Sequence, residues 1–211
     1  MRVAVFVDGA NFFFLQRDGL GWFADPRKIL TYLARYGEVV DAYYYIGQQT
    51  QSDPRQQGYL DALPSMGYTV VTKPIKNIYD AQSGGYRRKA NLDIEIVVDM
   101  FNTIDQYDMA ILISGDGDFE RALQLLRYRG KRVMVFSTEG YIAREIRNVV
   151  GGHYVDLATL RGDIEKQPVV HEVREEPAAE ETAQEEQPPR SGRARWGGWP
   201  SALKTREETD T

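Results

Sequence analysis

Four aspartates stand where their spacing and neighbours allow chemistry. Asp8 closes the apolar run Val3-Ala4-Val5-Phe6-Val7 and is followed by Gly9-Ala10-Asn11. Asp116 and Asp118 flank Gly117 in Ser114-Gly115-Asp116-Gly117-Asp118, directly after the apolar run Ala110-Ile111-Leu112-Ile113. Asp93 falls in the first turn of a helix expected over residues 91–104. Val97, Met100 and Ile104 share its face at i+4, i+7 and i+11, which puts a carboxylate on an apolar face. Glu95, Asp99 and Asn102 share a different face and read as the solvated side of that helix. A carboxylate at the end of an apolar strand needs a partner, and several crowded together repel unless a cation sits among them. The chain has no cysteine and two histidines. That excludes disulfides, thiolate zinc sites, iron–sulfur clusters and a cysteine nucleophile. It leaves oxygen-only sites, which suit Mg²⁺ or Mn²⁺. Asn11 and Ser114 add neutral oxygens beside Asp8 and Asp116, able to hold a water or orient an aspartate. Plainer roles exist for each acid. Asp8 and Asp116 are positioned to cap the turn or helix that follows, and Asp93 complements a helix dipole. One cap accounts for only one of Asp116 and Asp118.

The elements that must carry these residues alternate between two periods. Strand-like runs are expected at residues 2–7, 39–46, 68–72, 110–113, 132–136 and 154–155. Helical spacing is expected at 26–35, 53–66, 91–104, 119–129 and 141–149, with Pro54 opening the second of these and Gly67 closing it. Residues 73–88, with Pro74, Asn77 and Gly84-Gly85, read as a long loop. Strands alternating with helices imply βαβ units and a parallel sheet covered on both faces. Ligands of such sheets bind beyond the carboxyl ends of the strands, where strand order reverses. If the first and fourth strands are neighbours, Asp8, Asp116 and Asp118 converge.

The charge is unevenly spread. Residues 1–166 carry 20 Lys/Arg and 21 Asp/Glu, and residues 167–211 carry 6 and 10, so most of the net charge of −5 lies in the last 45 residues. That segment is rich in Glu, Pro and Gln and poor in Ile, Leu and Phe, and is expected to be a disordered acidic tail following a domain over 1–166. Trp196-Gly197-Gly198-Trp199, beside Arg190, Arg193 and Arg195, is a candidate docking motif for a protein partner. The domain itself is nearly neutral, so net acidity does not exclude a nucleic-acid partner. Tyr86-Arg87-Arg88-Lys89 leads into the Asp93 helix, and Arg127, Arg129, Lys131 and Arg132 form a second basic group; both are expected beside the acids, where they would contact phosphates. Phe12, Phe13, Phe14, Trp22 and Phe23 follow Asn11 and serve either base stacking or the core. Tyr43-Tyr44-Tyr45 reads as packing. No apolar run approaches the ~20 residues of a membrane span, and no signal peptide is recognisable. A cytoplasmic protein is expected. Nothing in the sequence sets an oligomeric state.

The ordered set Asp8-Gly9-Ala10-Asn11-Phe12, Lys89-Ala90-Asn91-Leu92-Asp93 and Ser114-Gly115-Asp116-Gly117-Asp118-Phe119 resembles the NYN domain, more narrowly its LabA-like bacterial branch, within the PIN-like nuclease superfamily. The resemblance covers about residues 1–160. It implies a three-layer α/β/α domain with a mostly parallel central sheet and an acidic pocket binding Mg²⁺ or Mn²⁺. It also implies metal-dependent RNA cleavage, with a catalytically silent RNA-binding module as the alternative. Carried over by position, Asp8, Asp93, Asp116 and Asp118 form the metal and catalytic cluster, Asn11 and Ser114 support it, and Lys89, with Arg87 and Arg88, would meet RNA. Phosphohydrolases of other α/β families fit less well: Ala10 stands where a haloacid-dehalogenase-like enzyme needs a second acid, and Asp8 where a topoisomerase-primase-like domain needs glutamate.

Overall fold

In residues 2–8, side chains on both faces of the strand are buried. Val3, Val5 and Val7 lie on one side and Ala4 and Phe6 on the other, a pattern that requires covering layers above and below. A computed structural model describes residues 1–48, 54–80, 85–89 and 91–167, without the side chains of 55, 76–80 and 85–89. The expected tail and its Trp motif lie outside the described residues.

The strands in chain order are β1 (Arg2–Asp8), β2 (Glu38–Gln48), β3 (Thr69–Pro74), β4 (Lys76–Asp80), β5 (Gly85–Lys89), β6 (Met109–Ile113), β7 (Arg132–Ser137) and β8 (Tyr154–Asp156). Six of them form one sheet in the order β3-β2-β1-β6-β7-β8, and every neighbouring pair is parallel. The chain steps outward from β1 to β3, then returns to the centre at β6 and steps outward the other way. Strand order therefore reverses between β1 and β6, the place beyond whose carboxyl ends such sheets bind their ligands. The neighbouring of the first strand and the 109–113 strand is as the aspartates require.

The helices are α1 (Gly9–Phe14), α2 (Pro26–Leu33), α3 (Pro54–Ala62), α4 (Asp93–Asn102), α5 (Glu120–Tyr128), α6 (Arg144–Val150) and α7 (Arg161–Ile164). Two apolar cores lie on opposite faces of the sheet. One gathers Val3, Val5 and Val7 with Phe12, Leu33, Leu63 and Ile164, from α1, α2, the end of α3, and α7. The other gathers Ala4 and Phe6 with Ile96, Met100, Leu123, Leu126 and Ile146, from α4, α5 and α6. This is the three-layer α/β/α arrangement. Among the described residues no helix is long and apolar enough to cross a membrane.

The long loop expected after the third strand is corrected. Residues 73–88 are not an open loop: β4 and β5 pair antiparallel as a hairpin, with Ile78 opposite Arg87 and Tyr79 opposite Tyr86. A Gly-Gly pair serves a hairpin turn as readily as a loop, and the β-branched and aromatic residues on either side decide for the hairpin. Gly67 ends the α3 region in the left-handed conformation, φ +101°, as the helix-stop reading requires.

Candidate metal centre

Period-2 alternation sends Asp8 to the same face as Ala4 and Phe6, the face covered by α4 and α5. Asp93 opens α4, and Asp116 and Asp118 lie in the turn that joins β6 to α5. Asp8 ends β1 and caps α1, its Oδ1 accepting the Asn11 N–H at 3.1 Å. Its Oδ2 accepts the Ser114 hydroxyl at 3.1 Å. Asp8 is only 8% exposed. Burial pushes its carboxyl above the ordinary carboxylate value, and the charges of Asp93 and Asp116 push the same way, while the Asn11 N–H and Ser114 hydroxyl pull it back. The capping role and the charged-cluster role thus hold together in one residue.

Ser114 is the joint of the site. It is buried at the end of β6, donates to Asp8, and accepts the Asp116 N–H at 3.2 Å. Asn11 completes the frame, its Oδ1 accepting the Gly115 N–H at 3.0 Å. Asp116 in turn caps the short turn Gly117–Phe119 by accepting the Asp118 N–H at 3.0 Å. Gly115 is needed for close packing. A Cβ there would collide with the Tyr141 carbonyl oxygen and the Ser137 hydroxyl, and the Gly115 carbonyl accepts the Ala143 N–H at 2.8 Å. The space a side chain would take at Gly115 is filled by Ser137 and Tyr141.

Asp93, Asp116 and Asp118 can each bring one carboxylate oxygen within 4.8 Å of the other two. Asp93 and Asp116 are half-buried and Asp118 is exposed, so the trio opens to solvent at Asp118. Asp8, more deeply buried, is not a member of this trio but is coupled to it through the charges of Asp93 and Asp116. Asp93 reaches the site because Ile96 and Met100 bury the same side of α4.

Asn91 was not anticipated: its Oδ1 accepts the Asp93 N–H at 2.8 Å, the two-residue Asx geometry that an Asn at that spacing allows. Glu95 and Asp99 are not simply a solvated face. Glu95 pairs with Lys73 at 2.6 Å, and Asp99 accepts the Tyr45 hydroxyl at 2.9 Å, which ties α4 to β3 and β2. The side chains of Arg87, Arg88 and Lys89 lie outside the described residues; their backbone forms β5, which ends four residues before Asp93. The second basic group is not beside the acids. Arg132 begins β7 and the acids lie past strand carboxyl ends, a full strand length away. Its members brace the fold instead: Arg127 donates to the Val149 carbonyl, and Lys131 donates to the Tyr107 carbonyl at 2.8 Å.

With that geometry in hand, similarities to known proteins can be placed. The NYN domain profile matches residues 2–158. The low amplitude and bright protein LabA of Synechococcus elongatus is 51% identical over 168 residues, which is 78% of this chain and 88% of that protein. A crystal structure of a Vibrio parahaemolyticus protein of unknown function superposes with a TM-score of 0.66 at 23% identity, covering 78% of this chain and 96% of that one, a likeness of fold. The profile match over most of the chain and the identity to LabA lead to one conclusion: this chain is a member of the NYN domain family, of its LabA-like branch.

Proposed function

We propose that the protein is a metal-dependent ribonuclease, cleaving RNA phosphodiester bonds at the Asp93–Asp116–Asp118 cluster with Mg²⁺ or Mn²⁺. The observation that carries this reading is three carboxylate oxygens within 4.8 Å of one another at the point where strand order reverses. The donor set fits the ion: all ligands are hard oxygens, as Mg²⁺ and Mn²⁺ prefer. Asp8, outside the trio, adds a buried carboxylate whose charge calls for compensation. A divalent cation bound there would supply Lewis acidity, making a water more acidic and offsetting charge on the phosphate.

The chain's own residues do the positioning. Asp93, at the start of α4, and Asp116, capping the Gly117–Phe119 turn, would hold the cation, and exposed Asp118 would complete the set at the solvent side. Asp8 raises the negative potential at the trio. Asn11 and Ser114 hold Asp8 and the 114–118 turn in fixed relation and act as positioning residues. Membership of the NYN family, part of the PIN-like nuclease superfamily, supports RNA as the polymer. Arg87, Arg88 and Lys89 are proposed as its phosphate contacts.

The test uses the full-length protein with labelled single-stranded and structured RNAs in Mg²⁺, Mn²⁺ or EDTA. Cleavage is expected with metal and not in EDTA. Losing a partner one layer out from a metal typically costs roughly 10–100-fold, so Asp116→Asn should reduce cleavage by at least about a hundredfold while melting normally. Undiminished cleavage in that variant would remove the assignment. RNA binding without turnover in either metal would replace it with the silent binding module.

A further inference from the structure

The helix that Asp8 caps, α1, carries a feature the acidic cluster does not use. Phe13 and Phe14 are exposed on the last turn of α1, and exposed Arg17, in the π-helical turn Leu15–Leu20 that follows, lies over both rings. Phe13 is 44% exposed and Phe14 49%, and Phe23, packed beside Phe13 with ring centres 6.1 Å apart, is 47% exposed. The opposite face holds Phe12, Leu15 and Gln16, all buried. The two segments that carry the exposed rings are tied together. Buried Gln16 donates to the Phe12 carbonyl at 3.1 Å and accepts the Ala24 N–H at 2.8 Å, drawing the 22–24 segment against the helix. Gly21, at φ +72°, makes the turn between them. The Phe23 carbonyl accepts the Lys166 N–H at 2.8 Å. Trp22 and Ala24 are buried while Phe23 between them faces out.

We propose that Phe13, Phe14 and Phe23, with Arg17, form a base-stacking platform for single-stranded RNA passing the acidic site. This rests on the ribonuclease reading. Phe14 stands three residues, about one helical turn, from Asn11, whose side chain is bonded into the acid loop. Ring planes differ by 74° between Phe13 and Phe14 and by 40° between Phe13 and Phe23, so the rings pack edge-on and tilted as one aromatic cluster and leave part of each ring exposed. The Arg17 guanidinium lies 4.8 Å from the Phe14 ring centre and 5.6 Å from that of Phe13, adding a further flat surface of the kind bases stack on.

A second copy of the chain is the less suitable occupant. Three half-exposed phenylalanines offer about 300 Å², well under the ~800 Å² per partner of a stable interface. Both Arg17 nitrogens engaged by Asp18, at 2.6 and 2.7 Å, are neutralised by that carboxylate. The platform therefore contributes stacking and little charge, and its share of the affinity is insensitive to salt, unlike phosphate contacts.

The experiment measures binding by the full-length protein carrying Asp116→Asn, so that RNA survives in the presence of Mn²⁺. The probes are a short oligouridylate and an abasic ribose-phosphate chain of equal length. Adding Phe13→Leu with Phe14→Leu should weaken oligouridylate binding about tenfold or more. It should leave abasic binding and the salt slope unchanged, and Phe14→Tyr should bind like the parent. Unchanged oligouridylate affinity in the double variant overturns the platform, as does equal loss on the abasic chain. Sedimentation showing that the double variant loses self-association while keeping RNA affinity assigns the rings to a second copy instead. Parent protein that binds no RNA at all overturns the ribonuclease reading together with the platform, whereas intact metal-dependent cleavage with intact affinity in the phenylalanine variants of the active protein overturns the platform alone.

Discussion

Ser114 has one hydroxyl and uses it twice, donating to Asp8 Oδ2 and accepting from the Asp116 N–H. Removing it leaves a buried carboxylate oxygen without its donor and a backbone N–H without its acceptor, and an unmet buried polar group costs about 1–3 kcal/mol. Ser114→Ala should therefore lower unfolding free energy by about that amount in a urea titration and weaken metal-dependent activity more than its distance from the phosphate would suggest. A variant as stable as the parent would mean the hydroxyl is dispensable as a joint. The same residue illustrates what sequence can and cannot convey. Its position after an apolar strand and beside Asp116 marks it as a site residue. That it bonds to Asp8, 106 positions earlier, depends on β1 and β6 being neighbours. Asn91 was passed over for a related reason: one Asn ahead of a helix is ordinary, and only its bond to the Asp93 N–H gives it a role.

Between elements, the two ends of the sheet are fastened by different means. At the carboxyl ends the 114–118 turn and the 138–143 segment interlock at Gly115. A methyl group there meets backbone, the Tyr141 carbonyl, which cannot swing aside as a flexible side chain could. Gly115→Ala should destabilise by roughly 1–3 kcal/mol, the usual cost of overpacking, and displace Asp116, read as a lower melting temperature together with lost cleavage. At the amino ends Asp108 joins β6 to β1, accepting the Arg2 N–H and guanidinium, both at 2.8 Å. The Arg2 hydrogen bonds draw the Asp108 carboxyl down to about 2. A depressed native value means this contribution is complete above the ordinary carboxylate range and is lost as pH falls toward about 2. Asp108→Asn should melt below the parent at neutral pH, with the gap narrowing below pH ~4. An unchanged gap there would assign the loss to something other than the charge. Elements were mostly legible because burial on both faces leaves strands apolar and helices amphipathic. The hairpin was not, since its Gly-Gly and Asn signals are common to turns and loops. The polar side of α4 was misread because Lys73 and Tyr45, which engage Glu95 and Asp99, come from strands far earlier in the chain.

Across the whole molecule, the fold gathers aspartates beyond the carboxyl ends of the two central strands of the sheet, and the most buried of them, Asp8, feels the charges of Asp93 and Asp116. Burial holds its native carboxyl above the ordinary value of 3.8, so the folded state retains a proton that the unfolded state releases. Stability from this group is full below the ordinary value, declines as pH rises toward the raised native value, and stays low above it. Asp8→Asn has no charge to develop and should escape that decline. Without metal it should gain on the parent as pH rises through this window and keep the advantage at neutral pH. Metal should reverse the order. A cation bound only by the native state at 100 times its dissociation constant adds about 2.7 kcal/mol, so Mn²⁺ should raise the melting temperature of the parent and shift Asp8→Asn less, because the variant attracts the ion with one charge fewer. Asp116→Asn, which removes a member of the trio itself, should lose the Mn²⁺ shift almost entirely. Equal Mn²⁺ shifts in all three proteins would place the ion elsewhere and separate the buried charge of Asp8 from any metal chemistry.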